Sequence, residues 1–408
     1  MKYSLPTIRL RKVVTKIGSG VTPAGGETAY VKNGVAFIRS QNVRESNLDL
    51  ADVALITQTQ HQIMGGSSVI DHDVLLNITG ASIGRSCVVP IGTGEANVNQ
   101  HVCIIRPTEH LNPYFLSQFL NSHLGQKQIW SFQGGGSREG LNYVQIASFE
   151  IPSLPRQEQD SIASLLREWH AAIEKTERLI TAKNQLLSHL REHHLTKPKQ
   201  SSRIKLKSAT QESTVRNGKR LGREAIMAVT KQVGLRPMRA ETIAAAIDRY
   251  KVVRPNAFAY NPMRLNIGSI AISSLEDDVL VSPDYVVFEC DEAKLLPGYL
   301  NHLRRTRLWA SHFEAAGSGG VRIRIYYDDL AAFVFPLPPL AEQARVLAVL
   351  DAGVTEIETL EHYLAALKTQ KRGLMQKLLT GQWRAPSPPA PLPLAGEGGR
   401  RPGEGKHG

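Results

Sequence analysis

One stretch occurs twice, and its recurrence limits the folds open to this chain more than any other feature. Ile151-Pro-Ser-Leu-Pro-Arg-Gln-Glu-Gln159 returns as Phe335-Pro-Leu-Pro-Pro-Leu-Ala-Glu-Gln343. Phe149, Pro152, Pro155, Glu158 and Gln159 reappear 184 positions later as Phe333, Pro336, Pro339, Glu342 and Gln343. Each copy reads as a strand that ends on prolines and then starts a helix. Proline cannot donate to a ladder, yet it sits well before a first helical turn. Each copy is therefore a joint between a globular unit and a helix. A period of 184 is far too long for a solenoid, so the chain reads as a duplication of one domain-plus-helix unit.

The first unit opens with Leu10-Arg-Lys-Val-Val14, followed by Gly18-Ser-Gly20, Pro23 and Gly25-Gly26, a short strand or turn and then a loop. Val35-Ala-Phe-Ile38 is a short strand ending in the polar cluster Arg39-Ser-Gln-Asn42. Asp73–Ile78, Cys87–Val89 and Val102–Ile105 continue the β pattern. Asn112-Pro113 predicts a helix from Tyr114 to about Leu124, with Asn112 as N-cap. Gln133-Gly-Gly-Gly-Ser-Arg138 is too glycine-rich for regular structure. The shift of 184 carries Asn77 onto Asn261, Ile83-Gly84 onto Ile267-Gly268, Val102 onto Val286, Pro113 onto Pro297 and Gly135-Gly136 onto Gly319-Gly320. Upstream the match loosens, with Glu224–Thr230 answering the Val35 strand at a changed spacing.

After each joint two seven-residue series interleave. In the first they are Ile162, Trp169, Thr176, Lys183, Leu190 and Leu166, Ile173, Ile180, Leu187, His194. In the second they are Val346, Gly353, Leu360, Leu367, Leu374 and Leu350, Ile357, Leu364, Lys371, Leu378. A 3–4 apolar seam over about five heptads predicts a coiled coil. Each helix would span about 60 Å at about 1.5 Å per residue. Neither can bury its seam on a small domain alone, so the two are expected to pair antiparallel. A pairing centred on Thr176 and Leu360 would set Gly353 opposite Lys183 and give that side chain room.

The net charge of +12 is unevenly spread. Residues 197–223 hold nine Lys or Arg (197, 199, 203, 205, 207, 216, 219, 220, 223) against Glu212 alone, a surplus of +8. Such a cluster is the footprint of a nucleic-acid binder or a solvated linker. Cys87, Cys103 and Cys290 do not make a disulfide scaffold and point to a reducing compartment. No run approaches the roughly 18 to 20 apolar residues of a membrane span, and Met1-Lys-Tyr-Ser-Leu-Pro predicts no signal peptide. A cytoplasmic protein without membrane partners is expected. Residues 385–408 are dominated by Pro and Gly and are expected to be disordered.

The joints Ile151–Gln159 and Leu337-Pro-Pro-Leu-Ala-Glu-Gln343, with Leu378-Leu-Thr-Gly381 and Phe258-Ala-Tyr-Asn-Pro-Met-Arg-Leu-Asn-Ile-Gly268, resemble the specificity subunit of Type I restriction–modification systems. The resemblance covers residues 5 to 383 in the family's order. The first joint departs from it in lacking adjacent prolines, and the Pro/Gly tail lies outside it. It implies an α+β chain: target-recognition domain 1 (1–153), spacer helix (154–197), target-recognition domain 2 (198–337), second spacer helix (338–383) and tail (384–408). It further implies a non-catalytic subunit that binds a bipartite double-stranded DNA target, one half-site per domain. The helices would space the halves and dock modification (methyltransferase) subunits. Those partners carry S-adenosylmethionine, this chain has no cofactor or metal, and restriction (endonuclease/translocase) subunits join the assembly.

Base edges are read by Arg, Asn, Gln, Ser and Thr, and phosphates by Lys, Arg and hydroxyls. On that chemistry the candidate DNA contacts are Arg39, Gln41, Asn42, Gln133, Ser137 and Arg138 in the first unit. In the second they are Thr230, Lys231, Arg264, Asn266, Ser318, Arg322 and Arg324. Candidate phosphate contacts are Lys199, Arg203, Lys205, Lys207, Arg216, Lys219 and Arg220. Two other readings are a DNA-binding coiled-coil scaffold outside restriction–modification and a metal-dependent nuclease. The second rests on Pro283-Asp284 with Glu292-Ala-Lys294, but those carboxylates flank a single strand and would lie about 25 Å apart at about 3.3 Å per residue. His193-His194 lacks a matching Cys or His cluster for metal.

Overall fold

The computed structural model describes residues 5–23, 25–133, 140–230, 234–314 and 324–385. The expectation for residues 386–408 of the tail lies outside that range. The chain divides into two compact units, one drawing on 1–175 and 364–408, the other on 176–363. The sequence-based boundaries follow the chain in order, whereas each compact unit takes a stretch of both long helices.

In the first unit a four-stranded antiparallel sheet runs in the order Val14–Ser19, Val102–Pro107, Val74–Asn77, Ser86–Val88. Side chains alternate between its faces. Val74, Leu76, Cys103 and Ile105 pack on one side with helices Pro113–Asn121 and His123–Ser131. Leu75, Cys87, Val102 and Ile104 pack on the other with Ile38 and Val98. Both faces are covered, so the strands read as continuous apolar runs rather than as alternation. The second layer is a three-stranded sheet in which Val35–Ile38 pairs antiparallel with Ala54–Ile56 and parallel with Ala96–Val98.

Asn112 caps the first short helix by accepting from the Phe115 N–H, with Pro113 in the first turn. That helix ends at Asn121, before the expected Leu124. Ser122 adopts an extended backbone and caps the next helix by accepting from the Gly125 N–H. The two helices meet so closely that a Cβ on Gly125 would stand 2.3 Å from the Phe119 carbonyl oxygen.

The second unit repeats the four-stranded sheet as Thr210–Ser213, Val286–Cys290, Phe258–Tyr260, Ile270–Ile272. The basic segment 197–223 is not a linker. Ser202–Lys205 pairs with Val334–Leu337, as Thr7–Arg9 pairs with Glu150–Pro152. The Leu206 N–H donates to the Phe333 carbonyl at 2.8 Å, as Leu10 does to Phe149. The chain's own start is thus the repeat mate of this segment, at a shift of 196 rather than 184. Ile226 bridges Leu280 in parallel, the place Ala36 takes against Ala96, so the strand expected at Glu224–Thr230 keeps one edge of its mate. Its other edge differs, because Met227–Thr230 closes a hairpin with Gly234–Pro237.

Each joint is held by one buried amide. Gln159 accepts the Asn112 N–H at 2.9 Å and donates to the carbonyls of His110 (3.0 Å) and Leu154 (2.9 Å). Gln343 accepts the Leu296 N–H at 3.0 Å and donates to Lys294 (2.8 Å) and Pro338 (2.9 Å). Every partner recurs at the shift of 184. The proline-rich joint is poor in donors, so a side-chain amide ties the helix start to the loop before its domain's short helix.

The long helices are Arg156–Thr196 and Leu340–Leu379. In the first unit Ile162, Ala163 and Leu166 share a core with Met375, Leu378 and Leu379. In the second, Leu187 shares one with Val346, Leu350 and Ile357. The helices pair antiparallel in both. Ile173, Leu350, Leu367 and Leu378 are buried, and Trp169, Ile180, Leu360, Leu364 and Leu374 are half-buried. The register differs from the expected one by about a turn. Leu187, not Lys183, fills the gap at Gly353, its Cδ1 3.2 Å from where a Cβ would stand. Lys183 reaches Glu356 instead, at 2.7 Å. A glycine hole is worth more to an apolar side chain than to an ammonium that can find a carboxylate at the seam's edge.

Lys371 is 6% exposed in the seam, and burial pulls its ammonium below the ordinary 10.5 against the opposing pull of Glu45 and Glu174. With the folded value lowered, the unfolded chain binds the proton more tightly, so this residue's cost shrinks as pH rises from the lowered value to 10.5. Lys371→Met should flatten the corresponding climb in denaturation midpoints, and at neutral pH leave stability unchanged or raised by about 1–4 kcal/mol. Gln343→Leu, which strands one buried carbonyl and a part-buried N–H and carbonyl, should lower the second unit's stability by about 2–4 kcal/mol in chemical denaturation.

Candidate nucleic-acid interface

At one end of each four-stranded sheet a single loop gathers segments that are far apart in the chain. In the second unit it is the loop 261–269, which carries Arg264, exposed, and Asn266, half-buried. It is closed by its own bonds: the Asn261 side chain accepts from the Met263 N–H at 2.9 Å, and the Ser269 N–H donates to the Arg264 carbonyl at 3.0 Å. The Ser269 hydroxyl donates to the Val229 carbonyl at 3.2 Å, which brings Thr230 alongside. The Ile325 N–H donates to the Pro262 carbonyl at 3.0 Å, which brings Arg324 alongside. Thr230, Arg264, Asn266 and Arg324 therefore border one loop.

The first unit builds the same junction. The buried Asn77 amide donates to the Ser40 carbonyl at 2.9 Å and to the Ser82 hydroxyl at 3.1 Å. The Leu141 N–H donates to the Ile78 carbonyl at 2.9 Å, the mate of the Ile325–Pro262 bond. The end of the Val35 strand and the exit of the glycine segment thus meet on the loop that follows Asn77.

Single side chains sort by what they are committed to. Gln41 is exposed. Arg39 lays its guanidinium over the Tyr30 ring, 5.5 Å from the centroid. Asn42 must be corrected as a base reader: it is 3% exposed, accepts from the Arg39 N–H at 2.9 Å and donates to the Asp49 carbonyl at 3.0 Å. Both ends of its amide hold a turn. Gln133, at the start of the glycine segment, is corrected as a base reader too, because its amide nitrogen and oxygen are both buried. The Thr230 hydroxyl donates to the Gly234 carbonyl at 3.2 Å across its hairpin. Arg324 is exposed and reaches the Tyr326 hydroxyl at 3.3 Å. Ser137, Arg138, Lys231, Ser318 and Arg322 lie outside the described residues.

The basic candidates divide as well. Arg203 and Lys205 are exposed on either side of the half-buried Ile204, with exposed Lys199 just before them. Lys207 stands 3.8 Å from Asp328. Arg216 donates to the Arg249 carbonyl at 2.7 Å, and Arg220 donates to the Arg216 carbonyl at 3.3 Å across the turn around Asn217. Exposed Lys219 sits in that turn with φ of 71°. Sequence reasoning passed over exposed Arg85 at the end of the first unit's loop, and the turn at Asn99–His101 beside it. Only folding brings that turn against Thr79, through a 2.6 Å contact to His101.

No group of three or more His, Cys, Asp or Glu suited to a metal ion occurs among the described residues. Asp284 and Glu292 flank strand Val286–Cys290, so the nuclease pattern does not form a shared site there.

The sequence profile of the Type I restriction modification DNA specificity domain matches residues 14–184. The chain is 22% identical to a putative type I restriction enzyme MjaX specificity subunit of Methanocaldococcus jannaschii, over 92% of each chain. It is 19% identical to the type I restriction enzyme StySPI specificity subunit of Salmonella potsdam, covering 86% of this chain and 84% of that one. Among solved structures it superposes, with a TM-score of 0.57 and 15% identity, on a chain from a study of complex assembly and conformational transition of the type I R-M system, covering 94% and 100% of the two. The S subunit of a Type-I restriction-modification system from M. genitalium gives 0.56 and 11%, covering 93% and 96%. These likenesses to solved structures are of fold.

The division between Gln41 and Asn42 can be measured directly. Asn42→Ala should lose about 1–3 kcal/mol in thermal or chemical denaturation, since it strands two part-buried backbone groups. Gln41→Ala should stay within about 0.5 kcal/mol of the parent.

Proposed function

We propose how this chain, which belongs to the family of Type I restriction–modification specificity subunits, reads DNA: each recognition domain takes one half of a bipartite target, and the paired helices set the gap between them. The chain is the DNA-recognition subunit and is itself non-catalytic. The observation that carries the reading is the duplicated joint, in which Gln159 and Gln343 make the same three bonds 184 residues apart. A fold that clamps each domain to a long helix in the same way twice is suited to presenting two readers from one spacer.

In this reading the boundaries 1–153, 154–197, 198–337 and 338–383 delimit reader, spacer, reader and spacer. In it, Arg39 and Gln41 on one side, and Arg264, Asn266 and Arg324 on the other, meet base edges. Lys199, Arg203, Lys205 and Lys219 supply cations for phosphates, which fix position without reading sequence. Modification subunits dock on the helices and bring S-adenosylmethionine, restriction subunits join that assembly, and the complex works in the cytoplasm. Among the described residues no helix is long and apolar enough to cross a membrane.

Half-site spacing becomes a geometric property of the protein. Removing one heptad from each helix, between Leu166 and Leu187 and from the facing stretch of the second, shortens the rod by about 10 Å, or about 3 base pairs. The target gap, read by sequencing sites methylated by the assembled complex, should contract accordingly. An unchanged gap would refute the spacer role.

A further inference from the structure

The first unit carries a polar chain that no sequence motif announced. The Val14–Ser19 strand ends at Gly20, where a Cβ would lie 1.6 Å from the Val98 carbonyl oxygen. Only glycine permits that approach, and the Gly20 N–H seals it by donating to the Asn99 carbonyl at 3.1 Å. The contact carries Thr22 onto the turn Asn99-Gln100-His101. There the Thr22 hydroxyl donates to Gln100 Oε1 at 2.6 Å. Gln100 Nε2 lies 3.0 Å from His101 Nε2, and His101 Nδ1 lies 2.6 Å from the Thr79 hydroxyl. The set is satisfied when His101 carries its proton on Nδ1, so that Gln100 donates to Nε2.

Gln100 is nonetheless exposed, as is Thr22. Its amide is oriented at both ends, and these bonds leave one N–H and one lone pair of Oε1 unspent. The turn adjoins the junction already described, because Thr79 bridges Gly140 at the exit of the glycine segment. The position 184 residues on from Gln100 is Asp284, which offers acceptors and no donor. The two domains thus differ in hydrogen-bonding chemistry at an equivalent point of the turn.

We propose that Gln100, held by Thr22 and His101, is a specificity-determining residue of the first recognition domain that reads one adenine. An amide offers a donor and an acceptor side by side, matching adenine N7 and N6 in the major groove. Holding the amide before DNA arrives removes the rotamer entropy of fixing it on binding. This assignment rests on the DNA-reading function above and adds to it one residue and one base.

The test uses the full chain assembled with its modification subunits and a duplex pool randomised in both half-sites, scored by which molecules become methylated. The parent should select a bipartite sequence with an adenine at one position that Gln100→Ala relaxes. Discrimination there should fall about tenfold to a hundredfold, the span of one bidentate contact. The other half-site should be unchanged. Thr22→Val, which leaves Gln100 in place but removes one of the two anchors of its amide, should relax the same position by less, with a melting temperature near the parent's. If Gln100→Ala selects like the parent, or weakens all sequences alike, the assignment is wrong while the function stands. If the parent selects no bipartite sequence, both fall.

Discussion

Two glutamine amides hold this architecture at the points where it would otherwise be loose. A strand ending in prolines has few backbone donors, and a helix starting just after it has unpaired groups of its own. Gln159 and Gln343 supply two donors and one acceptor at that place, and all three find backbone partners. Because two of the three partners lie in the loop before each domain's short helix and the third in the joint, the start of the long helix is tied to its domain. Glu158 and Glu342, next to them, make different bonds, the first with Arg384 and the second with Arg345. The neighbouring acids vary while the amide clamp does not.

The helices illustrate how a seam tolerates imperfection. Gly353 leaves a hole, and Leu187 of the facing helix fills it. Lys183 escapes to Glu356 at the seam's margin. Lys371 stays inside, where the charges of Glu45 and Glu174 offset only part of its desolvation. Such a lysine weakens the pair, and it is also the kind of residue that discriminates among registers.

The candidate interface was legible in part. Polar strand ends marked segments that the fold brings onto one loop, because a tight or open loop needs those residue types wherever it lies. Convergence was invisible: Ser269 to Val229 and Ile325 to Pro262 join segments about 40 and 60 residues apart, and nothing local encodes such contacts. Asn42 and Gln41 are neighbours of similar chemistry, yet one is spent on a turn and the other faces water. Gln100 carries no local signal, because its partner Thr22 lies 78 residues away.

Taken by itself, the sequence determined the duplication, the two long helices, their apolar seams, the Asn112 cap and the β pattern of the first unit. These follow from periodicities and turn chemistry among residues a few positions apart. Tertiary structure alone decided the register of the helix pair, the strand at Ser202–Lys205 within the basic run, the break at Ser122, and which polar side chains remain exposed. A shift of one turn keeps an apolar stripe apolar, so choosing among registers falls to the size and charge of residues on the other helix. A run of lysines likewise looks the same in a linker and on an edge strand until a partner strand is in place to receive its backbone.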